Sequence, residues 1–92
     1  TLDDMDIIEI NEAFASQVLS CLKGLDVAFD DPRVNPNGGG IAIGHPLGCS
    51  GARLALTVAR QLQRTGKKYA VISLCIGLGQ GLAMVIENPE AA

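Results

Sequence analysis

Tyr69-Ala-Val-Ile-Ser-Leu-Cys-Ile76 is a nearly continuous apolar run, with GLGQG (Gly77 to Gly81) directly after it. A strand with one face in water alternates apolar and polar residues, so a run without alternation suits a strand covered on both faces. GLGQG turns the chain, and Leu82 to Ile86 forms a second run of the same kind. The pair is predicted to be antiparallel neighbours in a sheet with helices on both sides, a layered α/β architecture.

The rest of the chain supplies few elements for that cover. Ile7-Ile8-Glu9-Ile10 is a short β-branched run and reads as a buried strand. Phe14, Val18 and Leu22 then repeat at helical spacing, with Ala15 and Leu19 widening the stripe and Gly24 as the stop. Asp30-Asp31-Pro32 reads as a turn. A second helix, capped by Ser50 and ended by Gly66, carries Leu54, Val58 and Leu62 on one stripe with Ala55 and Ala59 beside it. Arg53, Arg60 and Arg64 fall on the opposite, solvated side. The order is therefore β, α, glycine-rich loop, α, β, β, without internal repeat or linker. Two helices are few for a sheet covered on both faces. The chain also begins TLDDMDIIEI, without an initiator methionine, so residues 1–92 are expected to be one truncated domain of a larger layered fold.

Composition excludes several classes. With 92 residues at 48% hydrophobic content the chain is globular, and with 3% aromatics its core must be aliphatic. Seven basic against ten acidic residues give a net charge of −3, which argues against a nucleic-acid partner. Arg53, Arg60, Arg64, Lys67 and Lys68 form a local basic run that helical spacing reads as a solvated face. Cys21, Cys49 and Cys75 are odd in number and widely spaced, with no C-x-x-C or H-x-x-x-H pair, so neither a disulfide framework nor a metal site is expected. No apolar run approaches the roughly 20 residues of a membrane span, and no secretory signal is expected.

The segment GGGIAIGHPLGCSGAR (Gly38 to Arg53) concentrates glycine around the chain's single histidine, His45. Ordering glycine costs roughly 0.5–1 kcal/mol more than ordering alanine, so such a stretch implies a close approach to the backbone. It is not a phosphate loop: G-x-x-x-x-G-K-[ST] does not occur, and GLGQG leads into a strand where a nucleotide fingerprint needs a helix. Asn11, His45 and Cys75 all fall where a regular element gives way to a loop. Taken singly, each has an ordinary structural reading: a helix N-cap for Asn11, a satisfied polar residue for His45, an inert strand residue for Cys75. Together they suggest otherwise. Imidazole can take a thiol proton near neutral pH, and glycines beside a reactive group open backbone N–H donors to a substrate oxyanion. The expected chemistry is acyl transfer or carbanion chemistry at a carbonyl.

Three stretches carry a resemblance: N-E-A-F-A (Asn11 to Ala15), V-N-P-N-G-G-G-I-A-I-G-H-P-L-G-C-S-G-A-R (Val34 to Arg53) and C-I-G-L-G-Q-G (Cys75 to Gly81). In this order they resemble the thiolases, and they cover essentially the whole chain. The resemblance implies the incomplete C-terminal half of a layered αβαβα fold, with the N-terminal domain and the start of the C-terminal domain absent. It also implies reversible cleavage of 3-ketoacyl-CoA by CoA, or Claisen condensation of acetyl-CoA with acyl-CoA, through an acyl-cysteine intermediate. By the same resemblance Asn11 anchors a water in one oxyanion hole, and His45 contributes to that hole and activates the nucleophile. Cys75 acts as acid/base, the N–H of Gly77 belongs to the second oxyanion hole, and Ala13 and Phe14 lie along the pantetheine or acyl path. CoA is a substrate, and no cofactor is implied.

Two positions depart from the family pattern. Leu78 stands where a third glycine is frequent, and Cys49 where alanine is common. Leu78 bears on substrate subtype: together with VNPNGG it leans toward ketoacyl or ketoadipyl-type thiolases over strict acetoacetyl enzymes, and Cys49 reads as a packing choice. The nucleophilic cysteine of the family matches none of Cys21, Cys49 or Cys75; Cys21, mid-helix beside the apolar stripe, is expected to be buried. The 92 residues alone are therefore expected to be inactive and marginally stable. The partners implied are an acyl-CoA thioester, the remainder of a thiolase chain, and a homodimer or homotetramer in the full-length protein, without nucleic acid or membrane. A bacterial cytoplasm is the expected location, with an organelle matrix the alternative; NPEAA is not a peroxisomal tripeptide. The competing functional readings are a non-catalytic acyl-CoA-binding module and a purely structural fragment.

Overall fold

The computed structural model describes residues 1–44, 50–77 and 80–90, with only the backbone described at 75–77 and 80. After a single 3-10 turn over Leu2–Asp4 come strand β1 (Ile7–Ile10), helix α1 (Ala15–Gly24), the one-turn helix α2 (Gly40–Ile43), helix α3 (Ser50–Thr65), and strands β2 (Tyr69–Gly77) and β3 (Gln80–Glu87). The strands form one mixed sheet in the order β1-β2-β3. β1 runs parallel to β2, from Ile7 opposite Ala70 to Ile10 opposite Ser73, and β2 runs antiparallel to β3. Asp6 sets the start of the parallel pair, because its carboxylate accepts from the N–H groups of Lys68 and Tyr69 at 2.9 and 3.1 Å. Those two backbone donors hold the Asp6 carboxyl below the usual range.

Period-two alternation sends neighbouring side chains to opposite faces. Ile7, Ala70 and Ile72 pack on Leu54, Val58 and Leu62 of α3, with Leu74 and Ile86 at the margin. Ile8 and Ile10 pack on Val18 and Leu22 of α1, together with Val27. The two helices therefore cover opposite faces, as the unbroken apolar strands require. α3 lies under β1 and β2, while α1 covers little beyond β1. β3 is left with Leu82, Met84 and Val85 more than half exposed. The expectation of cover on both faces holds for β1 and fails for β3, because both helices are used up on the other two strands.

Several local expectations are corrected. α1 begins at Ala15, and Phe14 precedes it in extended backbone without a side-chain cap. Phe14 therefore leaves the helical stripe and is 73% exposed, while Val18 and Leu22 stay buried. Gly24 is the last helical residue; the left-handed position falls two residues on, at Asp26 with φ 59°. Cys21, expected inside, is exposed and accepts from Gln17 one turn earlier, because the buried stripe of α1 is too narrow to include it. Ser50 is the first residue of α3 and is buried. Gly66 ends α3 as expected, at φ 68°, where a side chain would be strained. β2 and β3 extend to Gly77 and Gln80, which pair with each other, so the strand ladder reaches into the segment read as a turn. Among the described residues no helix is long and apolar enough to cross a membrane.

Burial on the α3 face predicts a contrast between adjacent positions. Leu62→Ala should cost about 2–5 kcal/mol by leaving a cavity beneath the sheet, whereas Gln63→Ala, on the exposed face, should stay within about 0.5 kcal/mol. Denaturant unfolding of the two variants beside the parent measures the difference.

Candidate functional site

β1 ends in a turn that runs from Asn11 to Phe14, with the Ala13 N–H donating to the Asn11 carbonyl at 3.1 Å. The strand is held on both edges up to this point. On the β2 side the Asn11 N–H donates to the Ser73 carbonyl at 2.9 Å. On the other side the loop residues 33–35 run parallel to it. The Ile8 N–H donates to the Arg33 carbonyl and the Asn35 N–H to the Ile8 carbonyl, both at 2.8 Å. The next rung is made by a side chain: Asn35 Oδ1 accepts from the Ile10 N–H at 2.9 Å, and Asn35 Nδ2 donates to the Ile10 carbonyl at 3.0 Å. Asn35 sits at φ 43°, a left-handed conformation that asparagine tolerates better than most residues. Arg33 anchors the same loop through a bidentate pair with Asp31 and donations to the carbonyls of Leu2 and Met5.

The turn after β1 rests on the glycine segment. A Cβ on Gly40 would lie 2.9 Å from the Glu12 carbonyl oxygen and 3.5 Å from Asn11 Oδ1. One on Gly39 would lie 2.6 Å from the Glu12 carboxyl carbon. The close approach that the glycines permit at these two positions is thus the chain's own Asn11–Glu12 turn. Glu12 Oε2 accepts from Asn35 Nδ2 at 2.8 Å, and Oε1 accepts from the Ile41 N–H at 3.2 Å.

Asn11 is therefore no helix N-cap: it is buried at the carboxyl end of β1, four residues before α1 starts. Ala13 is half-buried in the turn, and Phe14 stands out from it. Cys75 lies two residues beyond Ser73 on β2, with its backbone opposite Gly81. Asn11 and Cys75 thus occupy the same, carboxyl end of two neighbouring parallel strands. Open α/β sheets place ligands at that end. The Cys75 side chain lies outside the described residues. So do His45 and Cys49, and Leu78 as well; Gly44, the neighbour of His45, ends α2 at φ 98°. The backbone of Gly77 closes β2 opposite Gln80, next to a register irregularity after Cys75.

Sequence reasoning missed the charged pair beneath this end of the sheet. Glu9 faces α3 with 1% of its surface exposed, and Arg53 Nη1 lies 3.6 Å from its Oε1. Among the described residues neither carboxyl oxygen of Glu9 accepts a hydrogen bond. Burial pushes the Glu9 carboxyl up to about 7, against the pull of Arg53 and with a further push from Glu12. Arg53 thereby leaves the solvated basic face. Glutamate in an otherwise apolar strand was the available signal. Among the described residues no cluster of His, Cys, Asp or Glu could hold a metal ion.

Comparison with known proteins matches residues 1–88 to the family described as "Thiolase, C-terminal domain". The beta-ketoadipyl-CoA thiolase of Acinetobacter baylyi is 63% identical over 88 residues, which cover 96% of this chain and 22% of that protein. The 3-ketoacyl-CoA thiolase of Aliivibrio salmonicida is 54% identical over 91 residues, covering 97% of this chain and 23% of that one. Among solved structures, human mitochondrial 3-ketoacyl-CoA thiolase in complex with CoA superposes with a TM-score of 0.90 at 50% identity, over 96% of this chain and 22% of that one. The chain belongs to the thiolase family, and its mixed sheet with helices on both faces is part of the thiolase-like α/β fold. It spans less than a quarter of the length of these relatives.

The pH dependence of stability follows from Glu9. A carboxyl that binds its proton more tightly when folded adds stability below its ordinary value of 4.5, and that stability is lost as pH rises through about 7. Asp4, Asp6 and Asp31 are held low and act only at more acid pH. Denaturation midpoints in the parent should therefore decline as pH rises through the Glu9 range of 4.5 to about 7, and decline less over that range in Glu9→Gln.

Proposed function

We infer that this segment forms the C-terminal part of a thiolase. In that enzyme a cysteine attacks the β-keto carbon of a 3-ketoacyl-CoA and releases acetyl-CoA, and the sulfur of CoA then attacks the acyl-cysteine to release an acyl-CoA shortened by two carbons. The cleavage breaks the bond between the α and β carbons. The acyl group passes first to an enzyme cysteine and then to CoA, while the departing acetyl-CoA enolate takes up a proton. Within the segment, Cys75 delivers that proton and removes it in the condensation direction. Asn11, through a water, and His45 stabilise oxyanion charge, with the Gly77 N–H serving the second oxyanion. Ala13 and Phe14 border the pantetheine or acyl path, and CoA enters as substrate.

The placement of Asn11 and Cys75 at the same end of the parallel pair β1–β2 is the observation that carries this reading. Charge that appears on an enolate oxygen has to meet donors already in place, and one such donor typically changes kcat by about 10²–10³-fold. Identity of 63% to a beta-ketoadipyl-CoA thiolase supports a 3-ketoacyl-CoA with a carboxylated acyl chain as the preferred substrate. The nucleophilic cysteine is supplied by the remainder of the thiolase polypeptide, because neither exposed Cys21 on α1 nor Cys49 matches its motif. The 92-residue chain by itself then turns over nothing, and it shows β3 apolar and open to solvent, in keeping with a truncated domain.

Thiolysis of 3-ketoadipyl-CoA and acetoacetyl-CoA by a complete thiolase polypeptide bearing this segment tests the inference. Asn11→Ala and His45→Ala should each lower kcat by roughly 10²–10³-fold, and Cys75→Ala by at least as much, in enzymes that remain folded. A complete polypeptide that binds acyl-CoA without turnover would replace the enzyme with a binding module.

A further inference from the structure

We propose that Glu12 and Asn35 are positioning residues for Asn11, forming a clamp that fixes the turn after β1 against the glycine segment. The proposal rests on the thiolase reading of Asn11 given above and concerns what holds that residue in place. Asn11 comes after the last residue of β1, where a chain would ordinarily begin to fray. Here it does not, because the strand is tied on both edges. The Asn35 side chain reproduces the paired N–H and C=O of a neighbouring strand against Ile10, one residue before Asn11. The same Asn35 amide nitrogen also reaches Glu12, one residue after it. Asn11 is therefore bracketed by two residues fixed to a single amide.

The Glu12 carboxylate extends the bracket to a third segment. α2 starts at Gly40 and has Gly39 before it, which offers no side chain to satisfy the free N–H groups of its first turn. Glu12 supplies that acceptor from outside the helix, through the Ile41 N–H. Its two oxygens thus meet two donors from different segments, and each is used. The absence of a Cβ at Gly39 and Gly40 lets the turn settle directly on α2. A network of this kind contributes where it holds a reacting constellation to within a fraction of an ångström. Misplacement by about 1 Å costs up to about 10²-fold in rate.

Such a device acts on the step in which Asn11 is used and leaves ground-state binding of the thioester alone. In a complete thiolase polypeptide bearing this segment, Glu12→Ala should lower kcat for acetoacetyl-CoA thiolysis by roughly 10- to 100-fold with KM within about twofold, the signature of an interaction realised in the transition state. Glu12→Gln keeps one acceptor oxygen and should lose less. The deciding measurement is the cycle of Asn11→Ala, Glu12→Ala and the double variant. The double variant should be no slower than Asn11→Ala alone by more than about twofold, since a clamp has nothing to position once Asn11 is gone. A double variant whose loss is the product of the two single losses would overturn the clamp, because Glu12 then supports the fold and not Asn11. Should Glu12→Ala not accumulate as folded enzyme, the same cycle run with Glu12→Gln decides on the same criterion. If Asn11→Ala retains full kcat, the assignment of Asn11 itself falls, and the clamp with it. Loss at Asn11 with an independent loss at Glu12 removes the clamp alone.

Discussion

The parallel pairing of β1 with β2 is the interaction on which the rest of this structure depends. It joins residues more than sixty positions apart, from Ile7 opposite Ala70 to Ile10 opposite Ser73. It creates both packing faces at once. Without it, Leu54, Val58 and Leu62 of α3 would have no continuous surface to cover, and Val18 and Leu22 of α1 would lose Ile8 and Ile10. The same pairing sets the height of Asn11 relative to Cys75. A slip of one residue would send Glu9 toward α1 and away from Arg53, so the buried charge also penalises the wrong register.

Polar groups near this end of the sheet are used economically. Asn35 spends its amide on Ile10 and Glu12, and Glu12 spends its carboxylate on Asn35 and Ile41. Glu9 differs: its partner Arg53 stands beyond hydrogen-bond distance, and its carboxyl is pushed toward the neutral form. The two glutamates lie three residues apart on opposite terms with their surroundings, one held by donors and the other by exclusion of water.

Much of the fold was legible because its signals are local. The apolar runs over β1, β2 and β3 gave strands, and the Leu54, Val58, Leu62 spacing gave α3 with its buried face. Three motifs were enough for the family. What the sequence could not show depends on contacts distant along the chain. Phe14 fits a helical stripe by spacing but sits in extended backbone, because the turn at Asn11 delays the helix to Ala15. Arg53 reads as one of several solvated arginines until β1 brings Glu9 beneath it. Gly39 and Gly40 announce a close approach, and only the fold says that the approaching group is the Asn11–Glu12 turn. α2, four residues of Gly-Ile-Ala-Ile, has too little periodicity to be found from sequence.

The two edges of the sheet are finished differently. Beside β1, the loop residues 33–35 and the Asn35 side chain occupy the backbone groups that would otherwise be open. β3 has no such neighbour among the described residues, and it carries neither proline nor lysine within Gln80–Glu87. Its apolar side chains project from both faces over most of its length. Such an edge is a template for any extended chain that meets it, and proteins ordinarily blunt it with charge, proline or cover. Handled as an isolated polypeptide, this segment offers that strand as a place for copies to associate, and the remedy is chemical: a lysine on that edge, or a companion segment expressed alongside it.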